Sequence, residues 1–157
     1  MGNYKDLENE FIERSIALIE QYNGILSQFK FEEQYNYTLS INCLLGLIVL
    51  PKEKIITYIP NTRLTKKFRE KLGLNTSEIY HEIKTLKDLI SKLRHSVAHF
   101  DMKVISHDDN FLINEIVFMD GGREIMNIKA NELLPFLKYY SNLLLQNLNK
   151  YRQDNSP

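Results

Sequence analysis

Residues 78 to 100 read EIYHEIKTLKDLISKLRHSVAHF, and this stretch decides the fold. Apolar residues recur in it at alternating intervals of four and three, at Ile79, Ile83, Leu86, Ile90, Leu93 and Val97. This spacing matches a period of about 3.6 residues and predicts one helix of roughly six turns with a single buried stripe. The polar run 75–77 (Asn-Thr-Ser) precedes the stretch and offers residues suited to an N-cap.

The far end of this predicted helix carries Arg94, His95 and His99 in two adjacent turns. His95 and His99 are four residues apart and therefore share a face. Arg94 should leave on the flank beside the buried stripe, where a second subunit or helix can cover it. A permanently charged guanidinium beside imidazoles that titrate near neutral pH is suited to handling phosphate esters.

The rest of the chain predicts three further helices and one basic helix. We expect helices over residues 4–29 and 32–50, a short basic helix over 62–72 that Gly73 terminates, and a last helix from an Asn131 N-cap. Its buried stripe would contain Leu133, Leu137, Tyr140, Leu144, Leu148 and Tyr151. Between these helices, alternation at Phe111, Ile113, Val117 and Met119, flanked by turn residues, predicts a small antiparallel β meander over about 103–129.

The predicted fold is therefore mainly α, a bundle of four to five helices with a small antiparallel β meander before the last helix. With 157 residues the chain is long enough for one domain with its own core, which we place at residues 1–152. Residues 153–157 are expected to form a disordered tail.

Composition excludes several classes of protein. The formal net charge is zero, so the chain is not a polycation, although residues 62–103 carry ten Lys and Arg against five Asp and Glu. The single cysteine, Cys43, lies in an apolar run and is expected to be a core residue in a reducing cytoplasm. The longest apolar run, residues 43–50, is far shorter than the roughly 20 residues that span a bilayer, so no membrane association is expected.

The chemistry of RNA cleavage fits the three residues. The reaction requires deprotonation of the 2′-hydroxyl, stabilisation of the charged phosphorane and protonation of the 5′-oxygen. An imidazole serves as acid or base, and a guanidinium holds two phosphate oxygens. Since the negative end of a helix dipole favours an imidazolium, we expect His99 to be able to donate a proton.

The segment Arg94-His95-Ser96-Val97-Ala98-His99 resembles the R-x4-H signature of HEPN domains, in which a polar residue commonly follows the Arg. The resemblance implies a metal-independent endoribonuclease without a cofactor. Two copies of the motif helix would meet across a homodimer interface to form one composite site. Arg94 and His99 would be catalytic, and His95 the supporting polar residue.

Many HEPN proteins are toxins of toxin–antitoxin pairs or effectors of anti-phage defence, so the resemblance also implies an RNA substrate and an antitoxin or other regulatory protein as a partner. One toxin branch continues the motif as R-x4-H-x-Y, with a Tyr that a nucleotidyltransferase modifies. Asp101 occupies that position here, so regulation by this route is not expected.

Other interpretations remain open. Arg94 and His99 are also compatible with an ordinary solvated helix surface, and His95 and His99 with a metal pair completed by Asp101 or His107. The basic helix, with Arg63, Lys66, Lys67 and Arg69, is a candidate RNA-binding surface or only a solvated face. The alternative function is a non-catalytic HEPN-like module that binds a nucleotide or a partner protein.

Overall fold

The computed structural model describes residues 3–49, 57–107, 109 and 112–155. Within these ranges the fold is mainly helical with one antiparallel sheet, which confirms the predicted class. The helices are α1 (Leu7–Ile25), α2 (Asn36–Val49), α3 (Lys66–Lys71), α4 (Leu86–Ala98) and α5 (Ala130–Asp154); the strands are β1 (Glu78–Ile79), β2 (Met102–Ile105), β3 (Glu115–Asp120) and β4 (Arg123–Lys129). None of the helices in the described ranges is both long and apolar enough to cross a membrane.

The chain forms two compact units. The terminal unit comprises residues 1–58 and 141–157, and the central unit comprises residues 59–140. Helix α5 contributes residues to both. It continues through Asp154, into the segment that we expected to be disordered, and the single domain over residues 1–152 stays a prediction.

In the terminal unit, α1 packs on α2. Ile12 and Ile19 of α1 are buried, whereas Leu18 and Ile25 on the neighbouring stripe are exposed. The predicted first helix was too long, because the chain tightens into a 3-10 turn at Leu26–Gln28. A second such turn, Phe31–Glu33, precedes α2, which therefore begins later than predicted. The predicted end of the second helix, Leu50, lies outside the described residues.

Two polar contacts join distant parts of the described terminal unit. Asp6 caps α1 and also accepts hydrogen bonds from Arg152 at 2.5 and 2.8 Å, which lower the pKa of Asp6 to about 2. Cys43 is buried with its Sγ 3.5 Å from the carbonyl oxygen of Ser15, and burial raises its pKa. Cys43 is therefore the core residue that its apolar context predicted.

In the central unit, the predicted six-turn helix is divided. Residues Glu78 and Ile79 form strand β1, paired with Asn127 and Met126 of β4, and α4 begins only at Leu86. The hydroxyl of Thr85 accepts from the amide of Asp88 at 3.2 Å, a side-chain cap that starts the helix there. The predicted capping role of residues 75–77 was therefore wrong, because pairing with β4 removes residues 78–79 from the helix.

The sheet has the strand order β1-β4-β3-β2, with all neighbours antiparallel. Strands β3 and β4 are joined by Gly121 and Gly122, whose φ angles are +57° and +79°. Two consecutive positive φ angles are the geometry of a tight hairpin turn matched to strand twist. The predicted meander is confirmed, although Ile113 precedes β3 and Phe111 lies outside the described residues.

The start of α5 differs from the prediction, because the helix begins at Ala130, directly after β4, and includes Asn131 within its first turn. The predicted stripe along this helix is buried except for Tyr151, which is half-buried. Gly73 ends α3 as predicted, with a φ of +78°. A side chain at this position would also approach Pro135 to within 2.5 Å.

A buried carboxylate joins α5 to the segment before β1. Glu132, in the first turn of α5, is 6% exposed. Its oxygens accept hydrogen bonds from the amide and hydroxyl of Thr76, both at 2.9 Å, and from the amide and hydroxyl of Ser77, at 3.0 and 2.6 Å. The Ser77 hydroxyl also accepts from the amide of Lys129 at 3.0 Å. Burial opposes ionisation of Glu132, but these bonds lower its pKa overall.

We predict that Glu132→Gln lowers the free energy of unfolding by about 1–3 kcal/mol at pH 7. The side-chain NH2 group of the glutamine would face the amide and hydroxyl donors of Thr76 and Ser77, so hydrogen bonds would be lost. Urea unfolding followed by circular dichroism measures this change. Glu70→Gln, at an exposed position on α3, is the matched control and should have an effect within about 0.5 kcal/mol.

The same variant predicts a pH dependence. Because the pKa of Glu132 is lower in the folded chain, its stabilisation is complete above the unfolded pKa of about 4.3 and is lost as the pH falls through the folded pKa. The difference between wild type and Glu132→Gln should therefore shrink in acid. A difference that grows below pH 4 would contradict this assignment.

Candidate active site

Helix α4 presents all three residues of the predicted constellation at its C-terminal end. Arg94 is half-buried, whereas His95 and His99 are exposed. His99 is the C-cap residue, and its amide donates to the carbonyl oxygens of His95 and Val97. The helix therefore ends at the residue to which the sequence assigned the proton transfer.

The chain reverses direction directly after His99. The amide of Phe100 donates to the Val97 carbonyl at 3.1 Å, and the amide of Asp101 donates to the Ser96 carbonyl at 2.8 Å. These two bonds define a Schellman motif, which requires a left-handed residue after the C-cap. Phe100 supplies it with a φ of +53°, a conformation that costs a residue with a side chain about 1–2 kcal/mol.

Ser96 attaches this helix end to the sheet. Its side chain is 0% exposed; the hydroxyl donates to the Asp101 carbonyl at 2.8 Å and accepts from the amide of Met119 on β3 at 3.2 Å. The Met119 amide also donates to the Asp101 carbonyl at 2.9 Å. The backbone that follows the motif is thus held by the strand that leads into the hairpin.

The two imidazoles are in contact. The ring centroids of His95 and His99 are 4.4 Å apart, with the ring planes inclined by 55°. Two exposed rings at this distance can act on the same small group, one as proton acceptor and the other as proton donor. This confirms the shared face that the four-residue spacing predicted.

Asp120, at the end of β3, adds a carboxylate that the sequence did not assign to the site. One of its oxygens lies 3.4 Å from Nε2 of His95, and the other accepts from the ammonium of Lys92. The Lys92 hydrogen bond lowers the pKa of Asp120; burial opposes this shift, and the charges of Lys92, His95 and His99 reinforce it. An ionised Asp120 therefore faces the imidazole of His95.

Arg94 acts on a different neighbour. Tyr140 of α5 is buried, and burial raises the pKa of its phenol while the positive charge of Arg94 counteracts this rise. The Tyr140 hydroxyl has no hydrogen-bond partner among the described residues. Arg94 is therefore close enough to Tyr140 for its charge to act on the phenol.

A comparison with protein families agrees with this architecture. A family model described as HEPN pEK499 p136 matches residues 1–151. The chain belongs to this HEPN family. No curated protein and no solved structure matches it.

The candidate RNA-binding residues of this HEPN chain lie away from the imidazoles. Arg63 is bridged to Thr85, at the start of α4, and a helix of 13 residues is about 20 Å long. Arg63, Lys66 and Lys67 are exposed, whereas Arg69 is half-buried and donates to the Ser77 carbonyl. Arg69 therefore has a structural partner, and RNA binding by this group stays a prediction.

The alternative of a metal site at His95 and His99 requires a third ligand. Within the described ranges, no three His, Cys, Asp or Glu side chains are grouped as a metal ion would require. Of the two proposed ligands, His107 instead lies 3.0 Å from Glu115, and Asp101 accepts through its backbone carbonyl.

A cleft of about 580 Å³ adjoins the site of this HEPN chain. Lys92 and Asp120 line it together with Tyr80, Ser91 and Arg123. Asp120 links the cleft to His95, but Arg94, His95 and His99 do not line it. Four carboxylates line the cleft against two cations, so it is not a basic recess.

We predict that Ser96→Ala lowers the free energy of unfolding by about 1 kcal/mol, because the Asp101 carbonyl loses one of its two donors in a buried position. Thermal or urea unfolding measures the change. Ser91→Ala, at an exposed position on the same helix, is the matched control. Equal stability of the two variants would show that Ser96 does not anchor the helix end.

Proposed function

We propose that this chain is a metal-independent endoribonuclease of the HEPN type. The observation that supports it best is the pair of contacting imidazoles at the exposed end of α4, with Arg94 in the same two turns, in a chain that belongs to a HEPN family. Each chemical requirement of RNA cleavage has a side chain of the right type within this one helix end.

The proposed reaction uses the 2′-hydroxyl of RNA as the nucleophile. A neutral imidazole accepts the hydroxyl proton as the bond from the 2′-oxygen to phosphorus forms. The imidazolium formed in this way then returns the proton to the 5′-oxygen as its bond to phosphorus breaks. The products are a 2′,3′-cyclic phosphate and a 5′-hydroxyl, so neither water nor an external oxidant is consumed.

Within this scheme, His99 is the acid or base and Arg94 neutralises the charge on the phosphorane oxygens. His95 orients His99, since their rings are in contact. Asp120 is a positioning residue, because its carboxylate, held by Lys92, lies 3.4 Å from Nε2 of His95, the ring that contacts His99.

The composite site is proposed at a homodimer interface. The imidazoles of one α4 are exposed, and Arg94 lies on the neighbouring flank of the same helix. Two copies related by a two-fold axis would bring Arg94 of one chain toward His99 of the other, since such an interface places the same patch against itself. We further propose a cytoplasmic toxin or anti-phage effector, restrained by an antitoxin or another regulatory protein.

We predict that the purified protein cleaves single-stranded or structured RNA in EDTA and that Arg94→Ala and His99→Ala each lower the rate by about 100-fold or more. Gel electrophoresis and mass spectrometry of the product ends measure this. His81→Ala and Arg14→Ala, which remove the same residue types elsewhere, are matched controls and should retain activity.

Mixing the two inactive variants tests the shared site. Heterodimers contain one site with an intact Arg94 and an intact His99, so cleavage should return on mixing. Absence of cleavage by wild type, together with tight binding of a nucleotide or a protein, would instead support the non-catalytic module. Full activity of a strictly monomeric protein would refute the shared site.

We predict that Asp120→Asn lowers kcat by about tenfold or more with little change in KM, because the amide favours a different proton arrangement on His95. Long-range proton–nitrogen spectra report which His95 nitrogen carries the proton, a signature that a purely structural role would not change. Asp88→Asn, in the first turn of α4, removes one negative charge at the other end of that helix and is the control for charge. An unchanged His95 spectrum in Asp120→Asn would contradict the assignment.

A further inference from the structure

We infer that Phe100 is a stacking platform for a nucleobase adjacent to the scissile phosphate of single-stranded RNA. The inference rests on the proposed function and extends it, since it names the substrate class and a residue that binds it. Phe100 immediately follows His99, and its side chain is 71% exposed.

Phe100 is an unusual residue for this position. Helix α3 ends in the same Schellman arrangement, with Gly73 at the left-handed position, its amide bonded to the Glu70 carbonyl and the Leu74 amide bonded to Arg69. Glycine avoids the steric penalty there, whereas Phe100 adopts a φ of +53°. An aromatic side chain at the second site is therefore not required by the turn.

Packing does not offset the backbone strain at Phe100. Phe118 and Phe136 are each 1% exposed, whereas most of the Phe100 ring is in contact with solvent. Backbone strain retained without a packing benefit is a reason to look for a function that the side chain performs in a complex.

The neighbours of Phe100 in the chain include groups that can act on a phosphate. Phe100 directly follows His99, and Lys103 is exposed three residues further along the chain. An exposed aromatic ring next to a residue proposed to act on phosphate is suited to binding a single strand, because every base has a face that can stack. Bases inside a duplex are already stacked, so this arrangement favours single-stranded loops and ends.

The chain contains no tryptophan, which gives a direct test. Phe100→Trp introduces one fluorophore at the proposed platform. The probe is a ten-nucleotide 2′-O-methyl oligoribonucleotide, which lacks the nucleophile and is not cleaved. We expect its addition to quench the fluorescence, and the same oligonucleotide in a duplex to quench it at least tenfold less effectively. Phe31→Trp, exposed in the terminal unit, is the matched control and should not respond.

A second variant separates stacking from folding. Phe100→Gly should raise the urea midpoint, because glycine relieves the left-handed strain, and yet weaken oligonucleotide binding by about tenfold. For RNA cleavage, KM should rise more than kcat falls, and Phe100→Tyr should restore the wild-type KM. A variant that is both more stable and weaker in binding cannot be explained by loss of fold.

The outcomes are distinct from those for the proposed function. Quenching by the single strand supports the platform even if wild type cleaves no RNA. Absence of quenching, or equal KM for Phe100→Gly and wild type, overturns it even if His99→Ala abolishes cleavage. Fluorescence that changes with protein concentration but not with oligonucleotide would also overturn it, and would place the ring in a contact between two copies of the chain.

Discussion

The central unit depends on the buried carboxylate of Glu132. Four neutral donors from Thr76 and Ser77 satisfy it, and no cation is needed to balance the charge in these contacts. Ser77 also receives the amide of Lys129, the last residue of β4. The bonds therefore fix three points at once: the segment that enters β1, the end of β4 and the first turn of α5. Because β1 is consequently held against β4, residues 78–79 cannot extend α4.

The sheet in turn determines the geometry of the candidate site. Strand β3 contributes the Met119 amide, which binds Ser96 and the Asp101 carbonyl, and one residue later contributes Asp120 to His95. The helix end that carries both imidazoles is thus held by backbone contacts and approached by a carboxylate from one strand. The β meander therefore supports the site: its strand β3 binds the backbone that follows the motif and supplies the carboxylate beside His95.

The sequence predicted the elements that local residue patterns determine. The prediction failed where contacts with residues distant in the chain determine the structure. The spacing of Leu86, Ile90, Leu93 and Val97 identified α4, and the four-residue spacing of His95 and His99 predicted their shared face. The start of α4 was misplaced because Ile79 fits the helical period equally well, and only its pairing with Met126 removes it. Asp120 looked like a turn residue, since nothing in its local pattern indicates that the strand before it ends beside His95.

The dependence of the helix end on β3 also has a consequence for synthesis. The motif ends at His99, twenty residues before Met119, so a nascent chain that stops between them has the two imidazoles without their anchor or their carboxylate. Ribosomes add about 5–20 residues per second, which separates the two events in time. If the chain cleaves RNA as proposed, it could do so only after the β3–β4 hairpin has emerged from the ribosome. The ribosome that makes the chain would therefore be exposed to the complete site late in synthesis.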